Sequence, residues 1–371
     1  MSENKSSVLS FQGSNFMRQR IVLAILTGKT IVISNIRSQD VEPGLREYEV
    51  NLLRLVDKLT NGTWLEVSQT GTRLRLTPGS LLMGATLVHE CCKLRAIGYY
   101  LEVILALAPF FKKPLDITLK GVTNNEKDPS VDAFKSGGLS ILRQFIVIDP
   151  GIKLDIIKRG MEPEGGGEVH FVCPVLKLKP IQKTDIGKVK RIRGNVFSLR
   201  VSPAFSNRLI DSAKGECLKF LPDVFLTADH LKGEKAGKSP GFGCCLTAET
   251  TTGVVYTSDC VSLPPPAPRL LPEDLGREAA WRLFDEISIG GIVDSNFQSL
   301  ACLYTTFSHK DVSQIKMGPL TPYTIEYRRH IKQFTGLMYK LEPFVNEDEE
   351  LKEGINKVLI TGVGIGYQKA L

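Results

Sequence analysis

The chain has 371 residues, 42% of them hydrophobic and 23% charged, and 47 Lys plus Arg against 40 Asp plus Glu give a formal net charge of +7. That length buries a sizeable core and predicts about two domains, while the mildly basic balance permits a nucleic-acid partner without demanding one. No apolar run approaches the ~20 residues of a membrane helix. The polar start Met1-Ser2-Glu3-Asn4-Lys5 has no apolar core of a secretory signal behind it, so no membrane contact is expected. Eight cysteines, with adjacent pairs at Cys91-Cys92 and Cys244-Cys245, suit neither a disulfide scaffold nor zinc-ligand spacing and read as reduced intracellular thiols.

In chain order, residues 1–8 read as a disordered lead. A helix over Phe16–Leu26 stops at Thr27-Gly28-Lys29, and the β-branched Thr30–Ile33 follows as a strand. Pro43 opens a helix carrying Leu52, Leu53, Val56 and Leu59 at helical spacing, and Leu65–Val67 and Leu74–Leu76 flank Thr70-Gly71 as a hairpin. The order recurs with a helix over Leu94–Pro109, a strand over Leu115–Leu119 and a helix over Val131–Phe145, which a second hairpin closes. A third round comprises helices at Pro272–Ile287 and Asn296–Phe307, a strand at Ile315–Met317, a helix at Pro322–Met338 and a strand at Lys357–Ile360. Asn346-Glu347-Asp348-Glu349-Glu350 reads as a solvated acidic loop.

Between the second and third rounds the texture changes. Residues 184–272 open on a basic run and end in the stiff Leu263-Pro264-Pro265-Pro266-Ala267-Pro268, with a helix near Asn207–Phe220 and strands at Val224–Ala228 and Gly243–Ala248. The predicted class is α+β. Three repeated helix-over-sheet units form a large domain (1–183 and 273–371), and one smaller α+β domain is inserted at 184–272.

The second hairpin carries the most specific stretch. Between Leu154–Ile157 and Val169–Val172 runs Arg159-Gly160-Met161-Glu162-Pro163-Glu164-Gly165-Gly166-Gly167-Glu168-Val169, where Pro163 restricts one backbone angle and three glycines admit conformations closed to other residues. The order Arg-Gly-x-x-Pro-x-Gly-Gly-Gly-x-Val, with its family signature residues Arg159, Gly160, Pro163, Gly165, Gly166 and Gly167, resembles the signature of the RNA 3'-terminal phosphate cyclases. The resemblance spans about Phe11 to Tyr367 and is closest to the cyclase-like branch that works in ribosome assembly. It implies the same architecture: three α+β units and one insert.

The resemblance also implies a histidine, covalently bonded to AMP in the cyclases, in the segment after a Gly-Pro pair. Here that segment is Gly318-Pro319-Leu320-Thr321-Pro322-Tyr323-Thr324, and Tyr323 stands at the histidine position. An imidazole has a free lone pair near its pKa of about 6.5, whereas a phenol with a pKa of about 10 stays protonated. His330 is seven residues further along the helix, about 10 Å at 1.5 Å per residue, and is no substitute. The family's glycine-rich N-terminal segment is reduced to Phe11-Gln12-Gly13-Ser14-Asn15-Phe16. Glu102 replaces a glutamine, and Asp40 replaces an arginine near Arg37; a carboxylate at either place repels phosphate. Arg18 and Arg37 match the family and, with Arg159, are candidates for a retained anion or RNA phosphate site; the alternative is simple ion pairing.

Two basic clusters are further candidates. Lys188, Lys190, Arg191 and Arg193 form a partner or RNA surface, while Arg328, Arg329 and Lys332 join the phosphate candidates, with Tyr327 as a stacking ring; the alternative is a solvated face. Gly233-Glu234-Lys235-Ala236-Gly237-Lys238-Ser239 has three residues between its glycines where a phosphate-binding loop needs four, and reads as a turn. His89, His170, His230 and His309 are scattered without ligand spacing, so no metal is expected. No cofactor is expected.

The resemblance implies a catalytically silent relative: a nucleolar assembly factor for the small ribosomal subunit, needed for early pre-rRNA cleavages. It would act beside a ribosome-assembly GTPase, as a monomer within the larger pre-ribosomal particle. Two enzymatic alternatives stay open. One is an RNA endonuclease built on Arg328, Arg329 and Lys332; the other is an active cyclase with a different nucleophile.

Overall fold

The computed structural model describes residues 8–268, 270–344 and 356–367. Residues 1–7 of the polar lead and the acidic loop Asn346–Glu350 lie outside the described residues. The first unit runs β1 (Leu9–Gln12), α1 (Met17–Thr27), β2 (Ile31–Ser34), α2 (Glu47–Leu59), β3 (Trp64–Val67) and β4 (Leu74–Thr77). The second repeats it with β5 (Thr86–Glu90), α3 (Ile97–Leu107), β6 (Leu115–Gly121), a helical run α4 spanning 131–144 through a π turn at Phe134–Gly138, β7 (Lys153–Lys158) and β8 (Gly167–Cys173). The third begins at β9 (Gln182–Lys183) and is interrupted at once. The insert supplies β10 (Val189–Leu199), α5 (Pro203–Phe220), β11 (Val224–Leu231), β12 (Gly241–Thr250), β13 (Val255–Val261) and α6 (Pro272–Ile289). The third unit then resumes with α7 (Gln298–Phe307), β14 (Val312–Met317), α8 (Pro322–Thr335), β15 (Lys340–Phe344) and β16 (Lys357–Val363).

The sheets make the repeat visible. Their orders are β1-β2-β4-β3, β5-β6-β8-β7 and β9-β14-β16-β15, each with a parallel first pair followed by two antiparallel pairings. A parallel pair needs a crossover, which α1, α3 and α7 supply. These first helices are buried nearly all round, as helices enclosed by protein must be, and α3 touches both α1 and α7. Second helices are amphipathic instead: α2 turns Leu52, Leu53, Val56 and Leu59 inward. Its start is Glu47 rather than Pro43, because Glu49 accepts from the Arg46 backbone N–H at 2.8 Å and caps the helix there.

The insert's sheet has the order β11-β10-β12-β13. Helix α6, read from the sequence as part of the third unit, lies against α5, β12 and β13 instead. Its Ala279 carbonyl accepts from Ser258 Oγ of β13 at 2.8 Å. The proline run is therefore a loop within the insert's packing, and the insert's layer reaches Ile289, past the expected limit of 272. Strands at Leu9–Gln12, Thr86–Glu90, Val255–Val261 and Lys340–Phe344 were not anticipated; all four are edges of their sheets, where the apolar pattern is weak. All eight cysteines are buried free thiols. Among the described residues no helix is long and apolar enough to cross a membrane.

Candidate functional site

The N-terminal turns of α1 and α8 meet the first half of α3 and bring together Tyr323 and Glu102, two of the three positions read from the sequence as degenerate. Thr321 caps α8 by accepting from the Thr324 N–H, with Pro322 in the first turn. Gln298 pins the preceding loop, donating to the Pro319 carbonyl at 3.1 Å and accepting from Thr321 N at 3.0 Å. That fixes Tyr323, whose hydroxyl donates to Glu102 Oε1. Glu102 is the one charged residue in the apolar α3 segment, and its other oxygen lies 2.5 Å from Arg18 Nη1. Arg18 sits 4.5 Å from the Tyr99 ring centre and 5.9 Å from that of Tyr323.

The electrostatics close this arrangement. Burial, then the Glu102 charge, raises the Tyr323 phenol well above its ordinary value, so it is a proton donor and not a nucleophile. Burial opposes the charge on Arg18, but Glu102 and then Tyr323 outweigh it and raise the guanidinium. The space left beside Arg18, Gln19, Glu102 and Tyr327 is about 20 Å³, room for one water and far too little for a nucleotide.

His330 lies in the same cluster with both ring nitrogens engaged. Its Nδ1 donates to Gln19 Oε1 (2.9 Å), whose amide nitrogen donates to the Tyr323 carbonyl, and its Nε2 accepts from Arg20 Nε at 3.4 Å. Burial, then Arg20, lowers its pKa to about 4, so it is a neutral structural ring. Phe16 fills the neighbouring space, its ring 5.8 Å from Tyr323 and 6.2 Å from His330. Its backbone is left-handed (φ 58°, ψ 26°), a strained conformation for a bulky residue.

Arg18, Arg37 and Arg159, expected to hold an anion, are each matched by an internal carboxylate. Arg37 makes two 2.7 Å bonds to Glu49. Arg95, which the sequence reading missed, sits 4.5 Å from the Tyr99 ring centre and bonds both Asp128 oxygens, its Nε at 2.8 Å. Nothing in the spacing of Arg95 marks it; only the fold brings it, like Arg18, to 4.5 Å from the Tyr99 ring centre. Asp40 lies on an exposed loop 3.5 Å from Arg46, and its charge acts on the neighbouring Arg37 rather than on Tyr323 or Arg18.

Arg159 departs furthest from expectation. Its guanidinium donates to both oxygens of Asp132 at 2.7 Å, approaches Asp229 Oδ2 at 3.4 Å and lies 4.6 Å from the Phe197 ring centre. It is a buried strut between the second unit and the insert, with four of its five N–H groups engaged by Asp132, Asn124 and Asp229. The rest of the signature serves the same junction. A Cβ on Gly160 would lie 2.3 Å from Gly167 N, and Gly165 holds φ 64° while its carbonyl accepts from Lys238 N at 2.8 Å. Gly166 follows at φ 84°, Pro163 lies in the turn, and Gly167 opens β8. The Gly233–Ser239 turn docks on this loop: Gly237 N donates to the Arg159 carbonyl at 2.6 Å and Glu164 N to Ser239 Oγ at 3.0 Å.

The basic clusters lie elsewhere. Arg329 pairs with Glu326 on the exposed side of α8, Lys332 is exposed, and Arg328 lies over Tyr339 at 5.6 Å with its Nε buried and without a hydrogen-bond partner. Tyr327 is buried and cannot stack on a base from solvent. On β10, Lys190 and Arg191 share Glu249 at 2.7 and 2.5 Å, Arg193 pairs with Asp223 at 2.8 Å, and Lys188 is exposed. Among the described residues no group of three or more His, Cys, Asp or Glu side chains is placed to hold a metal ion.

Three βαβαββ units, one insert and a glycine-rich signature at their junction are the architecture of one family. The chain belongs to the RNA 3'-terminal phosphate cyclase family, which matches it over residues 9–341. Within it the chain is 52% identical to the human RNA 3'-terminal phosphate cyclase-like protein, covering 97% of this chain and 96% of the relative. It is 49% identical to a probable cyclase-like protein of Drosophila melanogaster (98% and 96% covered). It is also 38% identical to the rRNA processing protein rcl1 of Schizosaccharomyces pombe, over 96% of each.

Proposed function

We propose that this protein is a non-cyclase assembly factor in rRNA processing, acting in the early maturation of the small ribosomal subunit in the nucleolus beside a ribosome-assembly GTPase. One observation carries the loss of cyclase chemistry. The residue at the nucleophile position is a neutral phenol hydrogen-bonded to Glu102, and that carboxylate also occupies Arg18. A group that gives up its proton only far above neutral pH does not attack the α-phosphate of ATP. The place in rRNA processing is supported by the name of the Schizosaccharomyces pombe relative; the nucleolar site, the subunit and the GTPase follow from the branch the sequence resembles.

An endonuclease on α8 would need a group to activate the attacking oxygen. On that helix His330 has both nitrogens engaged and Glu326 is paired with Arg329, so the assembly role is preferred. Depleting the protein and probing precursor RNAs tests it: small-subunit precursors accumulate with their early sites uncut. Unchanged small-subunit rRNA would overturn the proposal.

A further inference from the structure

The insert's own helices cover one face of its sheet only. Ile192, Val196, Leu246 and Ala248 are buried beneath α5 and α6, and strand alternation sends Arg191, Arg193 and Asn195 of β10 to the opposite face. Register places Phe225 beside Arg193 and Thr227 beside Asn195 on β11, with Thr247 of β12 across from Arg193. Part of this face is docked on the second unit, where Arg159 covers Phe197 and Ser130 donates to Asp259 at 2.7 and 2.9 Å. The remainder is open. Phe225 is 61% exposed and lines a cleft of about 240 Å³ with Ser136, Arg193, Asn195, Thr227 and Thr247.

The chemistry of this cleft is unlike that of an apolar docking groove. A single phenyl ring stands among hydroxyls, an amide and a guanidinium, and the carboxylate in the lining, Asp132, is held by Arg159 through two 2.7 Å bonds. Thr227 and Thr247 donate their protons to the Gly194 and Arg193 carbonyls at 3.1 and 3.2 Å, which leaves their oxygens as acceptors. Along the rim stand the cations Lys188, Lys190, Arg191 and Arg193, and the ion pairs they make are with two carboxylates, Glu249 and Asp223, an excess of positive charge. An exposed ring on an open sheet, hydrogen-bonding groups at its edge and a cationic margin are what an unstacked base and its phosphates require. We propose that this open face binds single-stranded RNA, with a base stacked on Phe225 and the backbone following the β10 margin. The inference rests on the RNA-associated role proposed above and names its contact surface.

The test is fluorescence anisotropy of the full-length protein with a short labelled single-stranded RNA of mixed sequence. A stacked base loses its platform when the ring is removed, so Phe225→Ala is expected to weaken binding about tenfold while Phe225→Trp retains it. Both variants should keep the wild-type melting temperature, because the ring is exposed. Lys190→Gln should flatten the dependence of affinity on salt by about one phosphate contact. Duplex RNA should compete poorly. Wild-type protein that ignores the single strand, or a folded Phe225→Ala variant of unchanged affinity, overturns the proposal. So does a Phe225→Ala variant that keeps its RNA affinity but drops out of assembling particles, which would make this face a protein contact. Depletion that left small-subunit rRNA unchanged, with oligonucleotide binding intact and Phe225-dependent, would refute the assembly role and leave this site standing.

Discussion

Replacing Arg159 separates a structural signature from a ligand-binding one. Its guanidinium and the Asp132 carboxylate share two 2.7 Å bonds, with side chains only 4% and 10% exposed. Arg159→Ala strands Asp132 inside the protein with only neighbouring amides for partners, among them Asn124 at 3.4 Å. Breaking one side of a buried pair destabilises by about 3–5 kcal/mol, whereas removing both partners together removes the uncompensated charge. The double variant Arg159→Ala/Asp132→Ala should therefore be no less stable than Arg159→Ala alone, a coupling of about 3 kcal/mol in the double-mutant cycle. With a urea slope of about 3 kcal/mol per molar, the single variant should lower the unfolding midpoint by about 1 M, followed by circular dichroism. Arg159→Lys should recover little, because an ammonium cannot make the paired bonds. Burial opposes the ionisation of Asp132, but Arg159 outweighs it and lowers the carboxyl below its usual value. Its share of stability is thus present above about pH 4 and is lost as pH falls through the lower folded value. An Arg159→Ala variant with an unchanged midpoint would refute the strut and return the arginine to anion binding.

Other outcomes follow from the cluster around Tyr323. Glu102→Gln removes the carboxylate that pairs with Arg18 and accepts from Tyr323, leaving the guanidinium uncompensated, so the variant should lose about 1–3 kcal/mol of stability and melt below the wild type in a thermal unfolding scan. An unchanged melting temperature would remove Glu102 as the partner that holds Arg18. Tyr323→His alone should still fail to take label from α-labelled ATP and Mg²⁺ on a denaturing gel, because Glu102 and Phe16 remain; a labelled band would refute this. Burial, then Glu286, raises the Asp294 carboxyl to about 7. The folded chain therefore keeps a proton that the unfolded chain loses above about 4, and stability falls as pH rises from about 4 to about 7. Asp294→Asn should flatten that slope in a series of urea midpoints, and parallel slopes would show that Asp294 does not cause it.

Sequence by itself determined the class of fold, the family and the phenol at the position where the resemblance expects a histidine. Apolar helices, β-branched strands and the Gly-Pro signature are local patterns, and the substitution of a phenol for an imidazole changes chemistry wherever the fold puts it. Tertiary structure decided the rest. The common strand order of the three units depends on pairings such as Gln182–Lys183 with Gln314–Ile315, which cross the whole insert and leave no periodicity in the chain. The family arginines were legible as residues but not as charges in use, because their carboxylates approach through space: Asp132 is 27 positions from Arg159 and Tyr323 is 221 from Glu102. A cation free to bind phosphate and one held in a buried pair have the same one-letter code. Only the packing of α1, α3 and α8 makes Arg18 the second kind.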